Sequence, residues 1–293
     1  MIEEPGIRWT RTGYLLGLAV LTWAGFMAVQ LSKVCGSCEL PGGLTKPMLA
    51  MELANNRYEV DKILSVDRMA GCTLLCRKKT DEMRVQQYYD LAFIVLYTAF
   101  YLYFAALNFR FGGPLGWALG LGIVGLTLAG ARFDWMEDKA ILQALKSDVV
   151  EMRHPAYLKW LSLTIATGLA SPLFARWPTP SVALKLVRLG IVYVALSAAI
   201  SGILGATRGQ DVRVESASVS LASTLLLSVL FLWTVQFWRE GTHAGLDRIA
   251  SLPILHLIAD WPPDETPLQL WQRRTLKDRL GRAFTRRSPG PPI

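Results

Sequence analysis

Long apolar runs separated by polar stretches set the character of this chain. They fall at about 14–31, 91–107, 114–131, 158–174, 186–206 and 219–238. A helix needs roughly 18 to 20 apolar residues to cross about 30 Å of hydrocarbon, and several of the runs reach that length. Inside lipid a helix satisfies its own backbone hydrogen bonds. The pattern therefore predicts an all-α integral membrane bundle with about six transmembrane helices.

Local signals refine the spans. The first run, with Trp23 near its middle, competes with a signal peptide. The stretch after it, LSKVCGSCEL, resembles no cleavage site, so it is expected to stay as an anchor. Asn108–Gly113 reads as a tight turn, which makes the second and third spans a helical hairpin. Gly116 and Gly120 in the third span have the spacing that permits close backbone approach, here read as packing. Trp160 near one end of the fourth span and Arg176-Trp177 at the other mark the two interfaces.

The polar stretches divide the rest. Residues 32–89 form a polar loop in which two or three short helices are expected, with helical periodicity from Pro47 to about Leu64. A polar segment at 132–157 precedes the fourth span. Beyond residue 238 the apolar stretch 249–258 is too short to cross and contains Pro253. The chain thus divides into a bundle at 1–238 and an extramembrane tail at 239–293.

Composition agrees, since 52% of the 293 residues are hydrophobic and only 18% charged, with a mean hydropathy of +0.31. The net charge of +8 is concentrated: Arg273, Arg274, Lys277, Arg279, Arg282, Arg286 and Arg287, against Asp278, contribute +6 of it. Basicity confined to a tail does not imply a nucleic-acid-binding body. Leu276, Leu280 and Phe284 recur every four residues and would form one apolar stripe on a helix. A basic amphipathic helix of that kind lies in the membrane interface, so these seven cations are expected to bind anionic headgroups. A protein partner is the alternative. The tail also biases topology, placing both termini in the cytoplasm of a bacterial inner membrane.

Two groups of residues could carry chemistry. All four cysteines, Cys35, Cys38, Cys72 and Cys76, fall in the 32–89 loop. Two structural disulfides are the plain reading if that loop faces outward. Zinc held by four thiolates fits an inward loop. A thiol–disulfide relay passing electrons to a quinone is a third possibility. The acids Asp90, Asp134, Glu137 and Asp138 lie where the second span begins and the third ends. Asp134, Glu137 and Asp138 share one helical face, and the hairpin would bring Asp90 beside Asp134. Acids at membrane depth are costly and often functional.

These acids sit in short motifs: Met51-Glu52-Leu53-Ala54, Ile63-Leu64, Tyr89-Asp90-Leu91-Ala92-Phe93-Ile94 with Tyr97, and Asp134-x-x-Glu137-Asp138-x-Ala140-Ile141-Leu142. Together, over residues 48–176, they resemble a family of uncharacterised bacterial multi-pass membrane proteins. Asp138 departs from that pattern, which has Asn there. The resemblance implies the helical fold and the pairing of Asp90 with Asp134 and Glu137, and implies no reaction.

The chain has no G-x-S-x-G, P-loop, H-E-x-x-H or dinucleotide fingerprint. The expectation is a non-enzymatic, lipid- or partner-binding membrane protein without a resident cofactor. A membrane thiol–disulfide oxidoreductase and a small transporter or channel are the alternatives.

Overall fold

The computed structural model describes residues 7–34, 40, 43–64, 74–146, 151–177 and 182–240. Contacts divide the chain into Met1–Arg239 and Glu240–Ile293. Apart from the final residue of the last helix, everything described belongs to the first unit. The basic tail and Cys35, Cys38 and Cys72 lie outside the described residues, and Cys76 is placed only as a backbone position.

Every regular element among the described residues is a helix: α1 (Ile7–Val34), α2 (Pro47–Glu52), α3 (Arg57–Leu64), α4 (Leu74–Phe111), α5 (Gly113–Ala144), α6 (Arg153–Arg176), α7 (Val182–Arg208) and α8 (Asp211–Glu240). Six of them, all but α2 and α3, are long and apolar enough to cross a membrane. The chain is an all-α, multi-pass membrane bundle. Its outer surface agrees: Val95, Leu121, Leu186, Tyr193 and Ile200 are among many large apolar side chains left exposed. A water-soluble monomer rarely exposes contiguous apolar surface on that scale, and lipid is the solvent that suits it.

All six long helices run past their apolar stretches, α4 and α5 the furthest. α4 has 38 residues and α5 has 32, where the apolar runs cover 91–107 and 114–131. The reason is the absence of breakers: neither Leu74–Leu91 nor Ala131–Ala144 contains Gly or Pro, so each span continues into a polar extension. At 1.5 Å per residue α4 is about 57 Å long, well beyond the bilayer core.

The turn between them is sharp. The Gly112 amide donates to the Asn108 carbonyl at 2.9 Å, and Gly113 takes φ +61°, where a side chain is strained. Gly116 packs directly on α4: a Cβ there would sit 2.3 Å from the Asn108 carbonyl oxygen. Asp90 lies 22 residues before Gly112 and Asp134 lies 22 after it. That is about 33 Å along each helix, close to the thickness of the hydrocarbon core. With the turn at one boundary, both acids stand at the other.

α4, α5, α6 and α7 pack as successive antiparallel neighbours, and α1 lies on α4. Aromatic rings tie α4, α6 and α8 together through Phe104–Phe174 (5.2 Å between centroids), Phe174–Phe231 (5.9 Å) and Trp177–Phe231 (5.7 Å). α1 meets α8 where Thr10 Oγ1 donates to Gln236 Oε1 at 2.8 Å. The start of the first span and the end of the last therefore share one side.

On the opposite side a second core forms. Met51, Val60, Ile63 and Leu64 of α2 and α3 pack with Met83, Ile141, Ala156 and Val214, all buried. The periodic stretch 47–64 is broken at 53–56, so it yields two short helices. They are held by polar contacts: Glu215 Oε1 accepts from the Thr45 amide (2.9 Å) and hydroxyl (2.7 Å), Arg57 donates to the Ala144 carbonyl, and Arg153 donates to Asn55 Oδ1 between the two helices.

Candidate functional site: a buried lysine–carboxylate cluster

Where the α2–α3 cap meets the bundle, five acids and one lysine are buried together. Glu52 comes from α2, Asp90 from α4, Asp134, Glu137 and Asp138 from α5, and Lys159 from α6. The i, i+3, i+4 spacing puts the α5 acids on one inward face. Lys159 enters from the second turn of α6.

Lys159 is the hub. Its ammonium lies 3.0 Å from Glu52 Oε2, 3.0 Å from Asp134 Oδ1 and 2.9 Å from Glu137 Oε2. Two aromatic donors complete the shell. The Tyr97 hydroxyl donates to Asp134 Oδ2 at 2.8 Å, and the Trp160 indole N–H donates to Glu52 Oε2 at 2.9 Å. Asp90, Asp134 and Asp138 each place one carboxylate oxygen within 4.8 Å of the other two.

The charge does not balance. Five carboxyl groups face one ammonium, and buried charge without a partner is too costly to persist. Protons or bound cations have to neutralise the excess. Glu52, which lies outside the spans, shows the strain: burial pushes its carboxyl above the usual range, and the Lys159 ammonium offsets this only in part. A raised acid contributes stability that is fully present below its unfolded pKa of about 4.3. That contribution is lost as pH rises through the folded value. Glu52→Gln should therefore show a smaller fall in thermal stability than the wild type as pH is raised from about 4 to 8. Melting curves of both proteins in detergent across that range measure it, and parallel curves would show that Glu52 does not titrate with folding.

Beside the cluster lies a cavity of about 340 Å³. Glu52, Asp90, Asp134 and Lys159 line its polar end, while Val20, Met27, Phe100, Phe104, Leu163 and Leu225 are typical of the rest. Its walls come from α1, α4, α6, α7 and α8, with α2 and α5 at the polar end.

The four acids expected from the sequence thus come together, with Asp90 beside Asp134 and Asp138. Sequence reasoning missed Lys159, the partner of three of the acids, and the part played by Glu52 and Tyr97. One signal was available: a lysine inside a span, at the second position of an apolar run, is expensive and calls for a partner. The glycine pair has a local role, since Gly120 packs on the Phe109 ring of the same hairpin. The tail candidates and Cys35, Cys38 and Cys72 lie outside the described residues, and Cys76 is described only by its backbone in α4. No protein-family model, curated protein or solved structure matches this chain.

Proposed function

We propose that this membrane protein binds a lipid-like amphiphile, with the apolar part in the cavity and a donor-bearing polar head against the acid-rich cluster. One observation carries the reading: an apolar cavity of about 340 Å³ ends in buried carboxylates. Ligand sites usually combine an apolar wall with a few convergent polar groups, in volumes of about 300–1,000 Å³. Hydroxyl or amine donors on the head would meet carboxylate oxygens that the protein supplies in excess.

The role is binding, not catalysis. The motifs around the acids resemble those of the uncharacterised family described above, a resemblance that adds no reaction. The basic tail, Arg273 to Arg287, extends the same reading by holding anionic headgroups at a cytoplasmic membrane surface. That assignment puts both termini in the cytoplasm of a bacterial inner membrane.

The test is lipid occupancy. Ala24 and Ala222 line the cavity, and Ala24→Phe or Ala222→Phe would fill it. Native mass spectrometry of the detergent-purified wild type should show one amphiphile per chain, and solvent extraction should identify it. The filled variants should carry at least tenfold less while melting at a similar temperature. An identical complement of lipid in all three proteins would overturn the reading.

A further inference from the structure

The oxygen geometry at Asp90, Asp134 and Asp138 has a use that does not depend on what fills the cavity. Oxygens that share one cation lie no further apart than twice the cation–oxygen distance. That limit is about 4.2 Å for magnesium and about 4.6–5.2 Å for calcium. The three carboxylates, with an oxygen each inside 4.8 Å of the others, fall within the calcium range, and magnesium or manganese would draw them slightly closer.

Asp138 supplies an independent observation. It is 2% exposed, and no amide, ammonium, guanidinium or hydroxyl among the described residues donates to either of its carboxylate oxygens; its one side-chain hydrogen-bond contact needs a proton shared with Asp90. The group it faces is the Asp90 carboxyl, another acid. A buried polar group normally finds a partner, and leaving one without costs about 1–3 kcal/mol, more when charged. The neighbouring cations are committed elsewhere. Lys159 is held by Glu52, Asp134 and Glu137, and exposed Lys139 lies over the Trp135 ring at 3.4 Å.

We infer that Asp90, Asp134 and Asp138 together bind one hard divalent cation. The donor set is all oxygen, which suits magnesium, calcium or manganese over softer metals. Charge selects a divalent ion: with one ammonium against five carboxyls, a monovalent ion leaves most of the excess in place, while a divalent ion removes half of it. The site joins α4 to α5 at the end opposite their turn, so the ion clamps the open end of the hairpin.

The probe is Mn²⁺ alone. Full-length protein in detergent is stripped with a chelator and titrated with Mn²⁺, while the six-line electron paramagnetic resonance signal of the free ion is followed. The wild type should take up one tightly held Mn²⁺ per chain, displaceable by excess Ca²⁺ or Mg²⁺, and should melt at a higher temperature with the ion than without. Asp138→Asn should weaken uptake at least tenfold, whereas Asp81→Asn, at an exposed acid on the polar part of α4, should leave it unchanged. Ala24→Phe should also retain uptake, which separates this site from the amphiphile reading. Asp90→Asn serves as a second lesion if Asp138→Asn does not fold. No tight Mn²⁺ in the wild type, or uptake that survives both Asn variants, would overturn the assignment.

Discussion

Lys159→Met should be the most damaging single substitution in the bundle, lowering stability by about 3–5 kcal/mol, the usual result of removing one partner from a buried ion pair. Its ammonium is the sole cation within 3.0 Å of Glu52, Asp134 and Glu137 among the described residues. Methionine is similar in length and volume, so the loss would come from orphaned charge and not from a void. The double variant Lys159→Met with Glu137→Gln removes one of the stranded acids, and it should recover part of the loss. Thermal unfolding followed by size-exclusion chromatography in detergent reads both effects. A Lys159→Met protein as stable as the wild type would mean that the acids are neutral without their lysine, and the ionic description of the cluster would fail.

Gly116→Val should come next. A Cβ at this position meets the Asn108 carbonyl oxygen at 2.3 Å. That atom belongs to the backbone, so no rotamer change relieves the clash. The two helices have to separate at the turn, at the top of the about 1–3 kcal/mol range for overpacking or beyond it. Gly125→Ala, on the same helix, is the control. A Cβ there has nothing within 4 Å, and exchanging helical Gly for Ala is worth up to about 1 kcal/mol in its favour. The two glycine substitutions should therefore move the melting temperature in opposite directions. A shared direction would mean that the hairpin tolerates separation at its turn.

The apolar pattern alone made much of this architecture legible. Six long runs give six spans, and Asn108–Gly113 gives the tight turn, because both features are encoded over a few adjacent residues. The pairing of Asp90 with Asp134 was equally accessible, since a hairpin with arms of equal length returns the chain to the same depth. The polar extensions of α4 and α5 were not, because a hydropathy reading stops where charge begins while a helix stops only where its backbone is broken. The hub was hidden for a different reason. Lys159 lies 107 residues from Glu52 and 22 from Glu137, and no local periodicity reports which side chains converge across α2, α5 and α6. Its position inside an apolar run marked it as needing a partner without saying which one.

The contact between Thr10 and Gln236 spans 226 residues of sequence, and it has a consequence for biogenesis. At roughly 5–20 residues per second, α1 is made about ten to forty-five seconds before α8 is complete. The cavity draws part of its wall from each of these helices, so no chain emerging from the ribosome has the complete wall until its last span is in place. Throughout that interval the cavity lacks the α8 part of its wall, and whatever occupies it at the end can have entered laterally from the bilayer before that wall was built.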